Sequence, residues 1–320
     1  MSRQSTDSQN IGKYSAPALS AAYWRSCLRS ARPSFLPLAL LCAGLAIVTV
    51  RLEGHVLALL DVMLAMTAAL LAHAAVNLFN EHHDFVSGLD AVTARTPFSG
   101  GSGSLQDFPE AAPMVHRTAS ACLLGVVLIG SWFLWRSGPW LLAYGLVGVL
   151  LVVGYTGVLT RRPLLCLLAP GLGFGVLMVA GTFHALAGEF SWLALLVSLP
   201  PTLMASALLL LNQIPDIEAD RGAGRQHLAI QLGPYRSAVL AVAMVWLAFV
   251  LVALAVWAGT LPASALCMWL VLPLLVTWLM RLRDFKASPG RGTLLPLLGL
   301  NVVILLSSLA LLNIGLWLAV

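Results

Sequence analysis

Two stretches of this chain set asparagine ahead of carboxylates at helical spacing. The first reads Asn77-Leu-Phe-Asn80-Glu81-His82-His83-Asp84-Phe-Val-Ser-Gly88-Leu-Asp90. The second reads Asn212-Gln213-Ile-Pro215-Asp216-Ile-Glu218-Ala-Asp220-Arg221, with Gly224-Arg225 just beyond. On one continuous helix Asn77, Glu81 and Asp84 stand at i, i+4 and i+7 and share a face. Pro215 predicts a break followed by a short new helix. Asp216 and Asp220 then lie one turn apart while Glu218 points elsewhere. Two facing sets of hard oxygen ligands suit magnesium, which keeps several waters and joins one or two carboxylates to substrate phosphates. Glu81, Asp84, Asp90, Asp216 and Asp220 are the candidate ligands. Asn77, Asn80 and Asn212 can bind metal or hold its water, and Arg95, Arg221 and Arg225 offer guanidinium forks to phosphate oxygens. The chemistry on offer is the binding of a metal-bridged diphosphate.

The elements that must position these residues are membrane helices. Of the 320 residues 59% are hydrophobic and only 10% charged, with a mean hydropathy of +0.90. Soluble domains carry roughly 25% charged residues, so most of this chain is solvated by lipid. A span needs about 20 mostly apolar residues. Nine stretches qualify, at about 35–50, 56–77, 118–135, 139–159, 164–187, 191–213, 237–258, 262–280 and 293–316. The expectation is an all-α polytopic membrane protein, one bundle of nine transmembrane helices with two acidic cytoplasmic loops. Residues 1–16 read as a disordered tail and 17–34 as an interfacial amphipathic segment. Arg25, Arg29 and Arg32 fall on one face of that segment, and Tyr23, Trp24 and Leu28 supply its apolar side. The bundle then fills 35–320. No cleaved signal peptide is visible.

Charge fixes the expected orientation. With the N-terminus inside, 16 of the 18 basic residues face the cytoplasm, leaving Arg51 and Arg136 outside, as the positive-inside rule asks. Of the 13 carboxylates, five lie within 78–116 and three within 214–236, both on the cytoplasmic side. Four spans separate the two acidic loops, which suggests an internal duplication. The chain is thus expected in the cytoplasmic (inner) membrane, with its site at the cytoplasmic face. Its net charge of +5 points to anionic headgroups or an anionic substrate, not nucleic acid. The five cysteines are scattered singly and read as packing residues. His82 and His83 are neighbours about 100° apart on a helix and do not readily chelate one ion together. His73 and His184, inside spans, are expected to face the bundle interior. The glycine-rich stretch 96–103 is placed to cover a substrate.

The two acidic segments resemble the paired aspartate-rich motifs of the UbiA superfamily of intramembrane prenyltransferases. Asn77, Asn80, Glu81, Asp84, Gly88 and Asp90 follow its first pattern, and Asp216, Asp220, Gly224 and Arg225 its second. Arg32-Pro33 ahead of the first span and Gly154-Tyr155-Thr156 are also similar to that family, and the layout is nearest the dihydroxynaphthoate (menaquinone-type) branch. Departures are Glu81 for aspartate, Arg225 for lysine, His227 for threonine, and Phe174 where that branch has glutamate. The resemblance implies transfer of an isoprenyl group from an allylic diphosphate to an aromatic quinone-precursor acceptor, with Mg2+ as cofactor. Asp84, Asp216, Asp220 and Tyr155 would be the catalytic residues, Tyr155 as an aromatic near the allylic cation. A terpene cyclase, or the same fold with another acceptor, is the alternative within the family. A transporter is the alternative outside it, and would place carboxylates at mid-membrane on several helices; only Asp61 lies well within a span.

Overall fold

The computed structural model describes residues 16–320 and contains helices with no strand among the described residues. The predicted tail thus lies outside the described residues, save for its last position. In chain order the helices are α1 (Ala16–Ser30), α2 (Leu36–Leu52), α3 (Leu59–Val86), the single turns α4 (Leu89–Val92) and α5 (Ser104–Asp107), then α6 (Ala112–Ser137) and α7 (Leu141–Gly154). They continue as α8 (Pro163–Ala187), α9 (Trp192–Asn212), the short α10 (Ile217–Gly222), α11 (Leu228–Trp257), α12 (Ala263–Ala287) and α13 (Arg291–Trp317). Eight helical segments are long and apolar enough to cross a membrane, the first being α1 and α2 taken together as Ser20–Leu52. The apolar α7 has only 14 residues, or about 21 Å at 1.5 Å per residue, against a hydrocarbon core of about 30 Å. This is a multi-pass membrane protein.

The elements that carry the site have local causes. Between Asn77 and Val86 no glycine or proline interrupts the helix, so α3 runs past its apolar part and carries both asparagines, Glu81 and Asp84. It stops at Gly88, whose φ of 75° is readily adopted only without a Cβ. Pro215 ends the run begun by α9, and α10 opens two residues later. Both α3 and α9 therefore deliver their C-terminal ends to the same side of the bundle. Trp135, Trp140, Trp192 and Trp257, all exposed, mark the other side, where indole rings favour the membrane–water boundary. There Asp61 pairs with Arg136 and the Ser191 hydroxyl donates to Glu53 at 2.7 Å. Asp61 is the third residue of α3, at the end of its span and paired.

Extensive helix pairings include α3 with α6 and α9 with α11, equivalent pairs if the chain is a repeated four-helix unit, alongside α8 with α9 and α12 with α13. A large buried core joins α2, α9, α11, α12 and α13, while α3, α6, α7 and α8 surround a cavity. The close crossing of α8 and α9 depends on glycine. A Cβ at Gly175 would stand 1.8 Å from Thr202 Oγ1 and 2.6 Å from the Ser198 carbonyl oxygen, and one at Gly171 would stand 2.3 Å from the Thr202 carbonyl oxygen. Backbone is in the way, so rotamer changes cannot relieve the clash. Gly175→Ala should destabilise the detergent-solubilised protein by about 1–3 kcal/mol, the usual cost of overpacking. Gly173→Ala, which meets nothing within 4 Å, should not. Paired thermal melts would test the crossing, and equal melting of the two variants would contradict it.

Candidate active site

Where α3 and α9 end, two carboxylates from distant parts of the chain share one cation. Arg225 pairs with Asp84 Oδ1 through Nη2 and donates from Nη1 to Asp220 Oδ1 at 3.0 Å. His227 Nε2 meets the other Asp220 oxygen at 2.8 Å. The tight turn that brings Arg225 back over α10 is set by Gly224, with φ 77°. Asn80 extends the network: its amide donates to Asp84 Oδ2 at 3.3 Å, and its carbonyl accepts from the Thr156 hydroxyl at 3.1 Å. Asn77 donates to the His73 carbonyl oxygen at 3.0 Å. Asp84, Asp90 and Asp220 are all buried, and Asp216 is half-buried.

Glu81 is occupied differently. Its fully buried carboxylate accepts the Ser102 N–H at 3.0 and 2.9 Å and the Ser102 hydroxyl at 2.5 Å. It therefore fastens the glycine-rich loop to α3. The loop then lies against Asp90: a Cβ at Gly101, whose φ is 73°, would sit 2.9 Å from both Asp90 oxygens. The N-terminal helix closes the far side of this loop. Arg29 pairs with Asp107 at 2.8 Å, Ser30 and Ser104 hydroxyls are 2.8 Å apart, and Tyr23 packs edge-on against Phe108. Trp24 and Leu28 point away from the bundle and are 61% and 63% exposed.

The other predicted residues divide. Asp90 Oδ2, Asp216 Oδ1 and Asn212 Oδ1 are buried with no hydrogen-bond partner. Arg221 is exposed and turned to Glu218 at 2.9 Å, and Arg95 is exposed beside Gly103. Tyr155, Asn77, Asn80 and Asn212 line one cavity of about 590 Å³ that otherwise has mainly apolar walls. Arg32 also lines it, in a left-handed backbone conformation with φ 52° that is uncommon for a residue with a side chain. The sequence pattern set Arg32 among surface arginines of an amphipathic helix; Pro33, which ends that helix, was the signal for its separate position. Ser102 carried no signal of its own beyond its place in the glycine-rich stretch. Among the described residues no three His, Cys, Asp or Glu side chains stand close enough to hold an ion by themselves.

Burial raises two of the carboxyls. Asp216 is pushed up to about 7, by burial first and by the Asp220 carboxylate next. Asp90 is pushed up to about 6, again by burial first, with Glu81 and Asp84 adding to it, and the Arg32 charge offsets part of both shifts. A folded value above the ordinary one means that the folded chain keeps a proton the unfolded chain has lost. The stability attached to Asp216 is therefore complete at pH 4 and declines as pH rises towards 7 and beyond. In metal-free buffer Asp216→Asn should raise the melting temperature at pH 8 by about 2–4 °C, the shift that ~1 kcal/mol gives in a chain of a few hundred residues. At pH 4 it should do nothing; a gain of the same size at both pH values would remove the charge as the cause.

A buried carboxylate–arginine cluster thus adjoins a mainly apolar cavity in a helical membrane bundle. The sequence profile of the UbiA prenyltransferase family matches residues 36–292, and the chain belongs to that family. It is similar to the 1,4-dihydroxy-2-naphthoate octaprenyltransferase of Bacillus subtilis (strain 168), 32% identical over 227 residues, which cover 67% of this chain and 68% of that one. The protein of the same name from Escherichia coli (strain K12) is 28% identical over 64% of this chain and 68% of its own. Among solved structures, a UbiA homolog from Aeropyrum pernix K1 superposes with a TM-score of 0.64 at 19% identity, over 90% of this chain and 98% of that one. A UbiA homolog from Archaeoglobus fulgidus bound to GPP and Mg2+ gives 0.58 at 14%, over 90% and 99%. These two likenesses are of fold. The chain is a membrane prenyltransferase.

Proposed function

We propose that this enzyme transfers a polyprenyl group from an allylic diphosphate to 1,4-dihydroxy-2-naphthoate or a close hydroxylated aromatic. The relatives' names support the acceptor. The observation that carries the reading is the Asp84–Arg225–Asp220 bridge, joined through Asn80 to the polar end of an apolar cavity. The polar mouth suits the diphosphate and the apolar walls suit the prenyl chain.

Mg2+ fits the residues at that mouth. The donors are hard oxygens, and Asp90 and Asp216 each keep a buried oxygen without a partner. Asp84, Asp90, Asp216 and Asp220 would hold it, with Asn80 and Asn212 beside them. Glu81 would stay with Ser102, which already uses both of its oxygens. When bound, the metal supplies positive charge for the leaving diphosphate. Arg225 and Arg32 add fixed charge at the same place, stabilising the negative charge that grows as the C–O bond ionises. Tyr155 presents its ring where the allylic cation forms, and the apolar walls exclude water that would quench it. Arg95 and Arg221 stand at the rim, available to steer the anion.

The orientation belongs to the same reading: nine spans with α7 as the short one, N-terminus and site in the cytoplasm, C-terminus outside. The basic residues support this by lying almost entirely on the site's side. Reporter fusions after residues 110, 225 and 288 should read cytoplasmic and a C-terminal fusion external; a cytoplasmic C-terminus would mean an even number of spans.

Activity is tested with purified protein, labelled octaprenyl diphosphate and a panel of acceptors. Asp84→Asn and Asp220→Asn should each lower transfer by at least 10²-fold, the order seen when one preorganised charge-stabilising group is lost. EDTA should abolish transfer and Mg2+ should restore it. Full activity in EDTA, or in either variant, would reject the metal–diphosphate site.

A further inference from the structure

We infer that His73 is a catalytic residue on the acceptor side of the site, where its imidazole takes the hydroxyl proton of the aromatic acceptor. The inference rests on the transfer reading above and adds a residue and a step to it. His73 lies on α3 one turn deeper than Asn77. The residue is 4% exposed, lines the cavity and has no hydrogen-bond partner on either ring nitrogen. Leaving buried polar atoms unpaired is costly, so a cavity occupant that supplies a partner is favoured. A prenyl chain has no hydrogen-bonding atom and cannot be that occupant. A hydroxylated aromatic can.

The surroundings fit an aromatic ring. Phe174 of α8 stands beside His73 with ring centroids 5.2 Å apart at 59°, and it also lines the cavity. The two rings together can offer an aromatic contact and one proton acceptor. His184, the other buried histidine with no partner, packs against Tyr144 at 5.7 Å and does not line the cavity. Along α3 the eleven residues from His73 to Asp84 span about 16 Å at 1.5 Å per residue, with Asn77 and Asn80 between. A diphosphate at the Asp84 end and a ring at the His73 end leave the reacting carbons between them.

The step balances without another reagent. The acceptor's O–H pair moves into the ring as its proton passes to an imidazole nitrogen. The attacked ring carbon forms the C–C bond, and the allylic C–O bond breaks with its pair on the diphosphate. That ring carbon then releases its hydrogen as a proton to the diphosphate, or its carboxyl as carbon dioxide. Aromaticity returns, and the oxygen recovers its proton from His73.

The test uses the full chain with Mg2+, octaprenyl diphosphate and 1,4-dihydroxy-2-naphthoate. His73→Gln keeps the size and polarity of the side chain but not its basic nitrogen, and His73→Leu removes both. Each should lower kcat by about 10²-fold, the lower end for loss of a general base, while the Kd for octaprenyl diphosphate measured without acceptor stays unchanged. With an acceptor analogue whose hydroxyl is already ionised at the assay pH, the loss should shrink towards wild type, which a merely structural role would not produce. Wild-type rates in His73→Gln, an equal loss with the ionised analogue, or weakened octaprenyl diphosphate binding would each overturn the assignment. Failure of the wild-type protein itself to transfer the prenyl group would instead sink the underlying reading.

Discussion

Everything at the site turns on one constraint: carboxylates brought together at the edge of a low-dielectric bundle must share positive charge. Two like charges 4 Å apart repel by about 4 kcal/mol at an effective dielectric of 20. Arg225 meets that demand by reaching both Asp84 and Asp220, although it lies 141 residues from Asp84. The extension of α3 beyond its apolar part, the break at Pro215 and the turn at Gly224 all serve to make this meeting possible. Such an arrangement is not a stability device. Buried ion pairs often contribute less than apolar residues of the same size, and Asp90 and Asp216 add carboxyls without a full set of partners. A fold optimised only for stability has no use for them.

The mouth of the cavity is built as one connected structure. Glu81 holds Ser102, the loop lays Gly101 against Asp90, and α1 fastens Asp107 and Ser104 through Arg29 and Ser30. Glu81 is one methylene longer than aspartate. That extra length lets a residue of the first motif reach the covering loop, which links loop position to the carboxylate cluster. Ordering a loop costs backbone entropy of about 1–2 kcal/mol per residue, so several anchors are needed to keep it over the site.

Much of this was legible in the sequence because it depends on period and composition. The apolar stretches located the membrane helices, and the i, i+4, i+7 spacing put Asn77, Glu81 and Asp84 on one helix. Pro215 marked the restart that separates buried Asp220 from exposed Glu218. What was not legible are contacts set by tertiary geometry. No spacing says that Arg225 will turn inward while Arg221, four residues earlier, turns out to Glu218. Glu81 matched a metal-ligand pattern, and only the fold brings Ser102 to it from 21 residues away. The inner contacts of α1 are similar: Tyr23 and Ser30 meet the residues that follow the glycine-rich loop and Cys27 meets Thr118 of α6, partners the helix alone does not announce. The end of α7 at Gly154, short of the predicted 159, leaves Tyr155 beyond the helix at the cavity wall.

The helix directions explain why cations dominate the site. Many anion sites sit at helix N-termini, where free N–H groups and the dipole favour negative charge. Here α3 and α9 both present their C-terminal ends, with partial negative charge of about half an electron each, and carboxylates lie there as well. Without a metal, the carboxylates and helix ends would oppose an approaching diphosphate. Arg225 is already engaged by two aspartates, and Arg32 is a single charge. The mouth therefore favours cations first and an anion only through them, and on the proposed reading this would couple substrate binding to metal. Such a coupling would protect the proposed chemistry: the bond that releases the allylic cation would be polarised only when the charges that accept the diphosphate are assembled over an apolar cavity.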